Sequence, residues 1–280
     1  MTKLTLPPDI KQTVKTALKE DIGSGDITAS LIPREAIAKA TVITREAAVL
    51  CGREWFNETM LQLNRDITIS WLVQDGDLIN ENQTICALQG PARAILSGER
   101  VALNFLQLLS GIATESRRYA DRLKDLNTVI RDTRKTIPGL RLAQKYAVRC
   151  GGCDNHRIGL YDGILIKENH ILACGSITKA IEQIRASQPN MPIEVEVENL
   201  DEVREALEAK ADMLLLDNFD RSALQKTIIL NKGQAKLEAS GGVTFNNMRG
   251  LAESGVDYIA IGALTKDVRA IDLSMRFSDQ

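Results

Sequence analysis

The order of apolar and polar positions changes character near residue 115. Before that point the pattern is short and mixed. The segments KATVITREAAVLCG (39–52) and DITISWLVQDGDLINENQTICALQG (66–90) carry alternating β-branched residues broken by Asp-Gly turns, and predict the strands of a small α+β unit. PPDIKQTVKTALKED, ahead of them, predicts a helix opened by proline. Residues 92–125 predict one or two long helices. On a helical projection Ser97, Arg100, Asn104, Gln107 and Gly111 share one narrow stripe. Most of the remaining surface is apolar, including Ile95, Val101, Leu103, Phe105, Leu106, Leu109 and Ile112. A helix apolar nearly all round is buried. A buried charge needs a partner. Arg100 is therefore expected to meet an anion or a cavity, or else to pair internally with Glu99 or another carboxylate.

From residue 128 the pattern becomes a beat. Six short β-rich runs alternate with helix-like segments: TVIRD (128–132), GILIK (163–167), IEVEV (193–197), MLLLD (213–217), KLEAS (236–240) and YIAIG (258–262). The spacing suits a series of βα units and hence a parallel sheet. Six units are fewer than the eight of a closed β/α barrel. The expected fold class is α/β, with an N-terminal α+β sandwich over residues 1–115 and an open, incomplete β/α barrel over 116–280. A doubly wound sheet is the fallback, but no glycine-rich dinucleotide fingerprint follows the first strand.

In β/α barrels the chemistry lies at the C-terminal ends of the strands. Here those ends read Thr133-Arg134-Lys135, Lys167, Glu196, Asp217, Ser240-Gly241-Gly242 and Gly262. Nearly all are polar, charged or glycine. In IEVEVE, Glu194, Glu196 and Glu198 alternate with Ile193, Val195 and Val197, so the acids share one face. The apolar face must meet covering helices, which turns the acids inward. Glu194, Glu238 and Lys236 are assigned to internal pairing, and Glu196 and Asp217, nearest the mouth, to ligand or Mg2+ contact. The SGG and GAL segments sit where the last two strands meet their helices, where backbone N–H groups bind phosphate well.

Charge concentrates in RDTRKTIPGLR (131–141), although the formal net charge of the chain is only −2. No global basic field draws in nucleic acid or membrane. The N-terminus lacks an apolar signal region, and no stretch approaches the ~18 apolar residues of a membrane span. Five cysteines, an odd number at irregular spacing, indicate reduced thiols in a cytoplasmic protein. A zinc set of Cys150, Cys153, His156 and His170 fits no zinc spacing well.

Taken together, EDIGSGDITASLIP, GERVALNFLQLLSGIAT, DTRKTIPGLRLAQKYAVRCGG, NHRIGLYDGILIKENH, LLLDN, SGGV and DYIAIGALT resemble the quinolinate phosphoribosyltransferase family over about residues 20 to 275. The resemblance implies a reaction that joins quinolinate to phosphoribosyl pyrophosphate with Mg2+, giving nicotinate mononucleotide, CO2 and pyrophosphate. It also implies a homodimer, or a hexamer of dimers, in which one subunit covers its neighbour's barrel mouth. By the same resemblance Arg134, His156, Arg157 and Lys167 hold the quinolinate carboxylates, joined by Arg100 from the partner. Lys135, beside Thr133, serves the pyrophosphate side or the ribosyl transition state. Glu196 and Asp217 hold Mg2+ or the ribose hydroxyls, and Ser240, Gly241, Gly242, Gly262, Ala263 and Leu264 cradle the 5′-phosphate. Lys135, Glu196 and Asp217 are the catalytic candidates, and Arg131 and Arg141 are structural partners of nearby acids. One departure is Cys153, where the family pattern is usually glycine-rich. It opens a Cys150–Cys153 disulfide under oxidation.

Within the same chemistry a nicotinate-specific phosphoribosyltransferase is an alternative, against which the number of carboxylate-binding cations argues, and two readings of other classes compete. A Schiff-base aldolase would use Lys135 or Lys167, but needs a lysine in an apolar pocket, and both lie among charges. VQDGDLINENQTICALQG has the rhythm of a lipoyl or biotinyl carrier hairpin, without the lysine that such a carrier modifies.

Overall fold

The structure is a computed structural model and describes residues 4–277. In chain order its main elements are α1 (Ile10–Ile22), β1 (Ile37–Thr44), β2 (Ala48–Val49), α2 (Arg53–Leu63), β3 (Thr68–Trp71), β4 (Leu78–Ile79), β5 (Thr84–Pro91) and α3 (Ala92–Arg122). They continue with β6 (Val129–Arg131), α4 (Arg141–Cys150), β7 (Ile164–Ile166), α5 (Glu168–Cys174), α6 (Ile177–Ser187), β8 (Ile193–Val197), α7 (Leu200–Glu208) and β9 (Met213–Asp217). The last are α8 (Arg221–Asn231), β10 (Lys236–Ser240), α9 (Met248–Ala252), β11 (Tyr258–Ala260), α10 (Ala263–Lys266) and β12 (Leu273–Phe277). Two compact units divide the chain. The first holds the described residues up to Arg118, the segment Thr136–Gly152 and the segment from Leu264; the second holds Tyr119–Lys135 and Cys153–Ala263.

The first unit is built on an antiparallel sheet ordered β12-β1-β5-β3. Its core joins Val42, Leu50, Phe56, Met60, Ile85, Leu103, Leu106 and Leu273. Each fully buried side chain of that kind contributes about 1.5–3 kcal/mol. The predicted strands and both helices appear, and residues 92–122 form one helix, not two. β12 was not expected. Its residues Leu273 to Phe277 pair antiparallel with Thr44 to Ala40 of β1.

Along α3 the apolar faces are buried as expected, but the middle of the polar stripe is not. Arg100 and Asn104 are exposed, and Ser97 donates to Asp26 Oδ2 at 2.6 Å. Within one chain Arg100 therefore needs neither a buried cavity nor an internal ion pair. Gly111 ends that stripe for a steric reason, since a Cβ there would lie 2.0 Å from the carbonyl oxygen of Arg269.

The second unit carries a parallel six-stranded sheet, ordered β6-β11-β10-β9-β8-β7. All six predicted strands are present. The first strand pairs with the last, as in a barrel, but β6 and β7 remain edges, so the sheet is not closed. An isolated bridge joins Arg131 to Asp154. The register explains the two faces. Glu196 pairs with Leu215, Leu215 with Glu238, and Glu238 with Tyr258, which places these four in one row. One step towards the strand ends, Asp217 pairs with Ser240. The alternate residues Ile193, Val195, Val197, Leu214, Leu216, Leu237 and Ile259 are all essentially inaccessible. Facing helices bury matching stripes, such as Val203, Ala206 and Leu207 of α7. Three of these helices start on polar caps, where Ser176, Asn199 and Asp220 accept backbone N–H groups of α6, α7 and α8. Such a cap stabilises a helix by about 1 kcal/mol.

Candidate active site

The inward face of the second unit begins with a buried charge cluster. Arg131 Nη1 donates to Glu238 Oε2 at 3.0 Å, and its guanidinium lies 3.3 Å from the centroid of the Tyr258 ring. Glu238 is fully buried. Burial, and next the Glu194 carboxylate, push the Glu238 pKa up to about 7, against the pull of His156 and Arg131. Glu194 meets His156 Nε2 at 2.8 Å. Burial works against a charged His156, but Glu194 and Glu238 outweigh it and raise its pKa. The other ring nitrogen, Nδ1, accepts the backbone N–H of Arg157 at 2.8 Å. Both nitrogens of His156 are thus engaged inside the unit. Asp132, also fully buried, accepts the His156 backbone N–H at 2.9 Å and the Asn155 amide at 2.6 Å.

Above this cluster lie exposed and half-exposed cations. Burial and then the charge of Arg134 lower the Arg157 pKa. Arg157 Nη1 donates to the carbonyl of Gly163 at 3.0 Å, and Asp162 accepts the N–H groups of Ile158 and Gly159, each at 2.8 Å. The loop that carries Arg157 is therefore tied at both ends. Lys167, at the end of β7, pairs through Nζ with Glu196 Oε2. Its backbone N–H donates to His170 Nδ1 at 3.0 Å, so His170 caps α5.

A third group of residues closes around glycine. Asn218 has φ +56°, and its side chain donates to Asp217 Oδ2 at 2.9 Å. Gly241 has φ +82°, and a Cβ there would lie 2.2 Å from Asn218 Oδ1 and 2.8 Å from its backbone nitrogen. Only glycine fits this position. At the end of β11 a Cβ on Gly262 would lie 3.0 Å from Lys135 Cδ and 3.4 Å from Thr133 Oγ1. Asp217-Asn218 thus meets Ser240-Gly241-Gly242, and Gly262 meets Thr133 and Lys135.

The region from residue 112 to 276 matches the family model described as quinolinate phosphoribosyl transferase, C-terminal domain. Residues 26–110 match the N-terminal domain of the same family. The chain belongs to the quinolinate phosphoribosyltransferase family. It is similar to the structure of the nicotinate-nucleotide pyrophosphorylase from Francisella tularensis, with 45% identity, a TM-score of 0.93 and 98% of each chain covered. A curated relative, the probable nicotinate-nucleotide pyrophosphorylase [carboxylating] of Bacillus subtilis, is 42% identical over 95% of this chain and 92% of its own. The Mycobacterium leprae nicotinate-nucleotide pyrophosphorylase [carboxylating] is 38% identical over 95% and 96%.

Within this transferase, the expected residues Thr133, Arg134, Lys135, His156, Arg157, Lys167, Glu196, Asp217, Ser240, Gly241, Gly242, Gly262 and Ala263 all fall in the second unit, at or near the strand ends. Arg100 lies on α3 in the first unit, and Leu264 is buried in α10. Arg131 pairs with Glu238, as assigned to it. Lys236 differs: it is exposed and pairs with Asp257 at 2.6 Å instead of with an interior glutamate. Sequence reasoning missed Asp132 and Asn155, which shape the loop before His156. The available signal was an acid at the end of the predicted strand TVIRD, set between Arg131 and Arg134. Among the described residues the five cysteines form no disulfide; His156 lies on Glu194 and His170 on α5.

Proposed function

We propose that this phosphoribosyltransferase of NAD biosynthesis joins quinolinate to phosphoribosyl pyrophosphate, releasing CO2 and pyrophosphate and forming nicotinate mononucleotide. The observation that carries the reading is the gathering of cations at or near one set of strand ends, Arg134, Lys135, Arg157 and Lys167, with Arg157 held to the Gly163 carbonyl and Lys167 to Glu196. Quinolinate is a dicarboxylate, and an arginine fork binds a carboxylate bidentately. Charged hydrogen bonds are worth about 1.5–3 kcal/mol each, so three or four such contacts suffice for micromolar binding. Arg134, Arg157 and Lys167 take the two carboxylates. Arg100, exposed on α3, joins them from a second subunit of a homodimer, the unit from which a hexamer would also be built.

The phosphorylated substrate lies against the remaining groups. Backbone N–H groups at Ser240, Gly241, Gly242, Gly262, Ala263 and Leu264 receive the 5′-phosphate. Lys135, with Thr133, faces the pyrophosphate. Glu196 and Asp217 are half-buried carboxylates on neighbouring strands, hard oxygen donors of the kind Mg2+ accepts together with substrate phosphates. They would hold the ion, which supplies charge neutralisation to the leaving pyrophosphate.

The chemistry then follows from charge. The pyridine nitrogen attacks C1 of the ribosyl group as pyrophosphate departs. Glu196 and Asp217 stabilise the cationic sugar between these events, and Lys135 stabilises the negative charge that develops on the leaving group. The ring nitrogen of the adduct is cationic and stabilises the electron pair left on C2 when the adjacent carboxylate departs as CO2, and a proton from solvent then completes the C2–H bond of the product. The test is direct. Incubation with quinolinate, phosphoribosyl pyrophosphate and Mg2+ is expected to yield CO2 and nicotinate mononucleotide in equal amounts. Turnover of nicotinate but not quinolinate would overturn the proposal.

A further inference from the structure

His156 was expected to touch a carboxylate of the substrate, yet its ring is engaged on both sides. Nδ1 accepts a hydrogen bond from the Arg157 N–H at 2.8 Å, so this nitrogen carries no proton. The proton of the neutral ring must then sit on Nε2, where it is donated to Glu194 Oε2 at 2.8 Å. Glu194 is itself buried. Glu238 lies behind, with Oε2 3.9 Å from the same ring nitrogen and 3.0 Å from Arg131. Just after β6, Asp132 accepts the backbone N–H of His156. The imidazole is thus a strut between the interior acids and the backbone of Arg157.

We propose that Glu194 is a positioning residue for quinolinate binding: by accepting Nε2–H it locks one tautomer of His156, whose bare Nδ1 fixes the backbone turn from which Arg157 extends. The inference rests on the reaction proposed above and gives His156 a role in orienting Arg157. Two features of the acids support it. Oε1 of Glu194 and Oε1 of Glu238 are buried and, among the described residues, meet no donor. Buried acceptors are rarely left unmatched, and each such group is costly. Two carboxylates facing one ring therefore serve the ring more than they serve the packing of the interior. Protonation of Nδ1 would set N–H against N–H and open the turn. The groups around His156 that bear on this are Glu194 on β8, Glu238 on β10, Arg131 on β6, Asp132 just after it, and Arg157 itself.

The chain has only two histidines, His156 and His170, so nitrogen-15 labelling of imidazole gives two spin systems, assigned with a His170→Asn variant. Near pH 8 one ring is expected to show protonated Nε2 and bare Nδ1, and to keep that state when quinolinate is added. In kinetics, Glu194→Ala is expected to raise the KM for quinolinate about tenfold, the loss of one charged hydrogen bond. KM for phosphoribosyl pyrophosphate and kcat should stay within about twofold, a change too small to mark a lost interaction. Glu194→Gln, whose amide oxygen still accepts Nε2–H, should recover most of the loss. Conversion of Nδ1 to a protonated donor on quinolinate binding would overturn the proposal. So would equal changes in both KM values, or no change in either. If the alanine variant fails to fold, the glutamine variant and the wild-type spectra decide. If the wild-type chain turns over no quinolinate, the proposed reaction fails, while the tautomer remains readable by itself.

Discussion

Replacement of Arg131 by methionine tests the buried charge cluster. The substitution keeps an apolar stem over the Tyr258 ring but removes the 3.0 Å contact to a fully buried glutamate. Breaking one side of a buried ion pair typically destabilises by about 3–5 kcal/mol, because the remaining charge is left alone. For a chain of this size each kcal/mol shifts Tm by about 2–4 °C, so the expected loss is on the order of 10 °C. The loss must also depend on pH. The Glu238 pKa rises from an ordinary 4.5 to about 7, first through burial. Between those values the folded state binds more protons than the unfolded state, and the contribution of this group to stability falls as pH rises. Arg131 holds that pKa down. Its removal raises the pKa further and extends the fall above pH 7. At pH 5 the glutamate is protonated in either chain, and the deficit should shrink to the lost stacking, about 1–2 kcal/mol. Thermal and urea melts at pH 5 and pH 8.5 read the difference. The double variant Arg131→Met/Glu238→Gln should recover much of the loss at pH 8.5. A deficit equal at both pH values, with no recovery in the double variant, would refute the reasoning.

Further outcomes follow from the site. Gly241→Ala must force a Cβ against Asn218 in a backbone conformation that only glycine adopts easily; a stability loss of about 1–3 kcal/mol is expected, together with a raised KM for phosphoribosyl pyrophosphate. Arg100→Ala should abolish quinolinate turnover with unchanged circular dichroism and Tm, and mixed refolding with Lys135→Ala should restore part of the activity if the site is shared between subunits. Lys135→Met should lower kcat by about 10²-fold or more, as for removal of other groups that stabilise transition-state charge. Treatment with a chelator should stop turnover, and added Mg2+ should restore it.

The parallel sheet was readable because its strands are uniform. IEVEV separates an acid row from an apolar row without ambiguity, and Ile193, Val195 and Val197 are buried beneath helices as that alternation requires. The strand-end residues followed, since the fold places chemistry at those ends. Three features were less legible. Arg100 lies on a helix whose apolar faces dominate its pattern, and only the coordinates show that its own line faces outward. The role of His156 depends on which atoms its ring meets, which no spacing encodes. β12 pairs with a strand more than two hundred residues earlier, and LSMRF is too short to announce a partner so far away.

That last pairing has a consequence for synthesis. On the ribosome, β1 emerges more than two hundred residues before its neighbour at the sheet edge. Until then one row of backbone groups on β1 is open to any strand that approaches, including a strand of another nascent copy. A messenger truncated before the codon for Leu273 would leave that edge permanently bare, and its product is expected to clump more readily than the full chain.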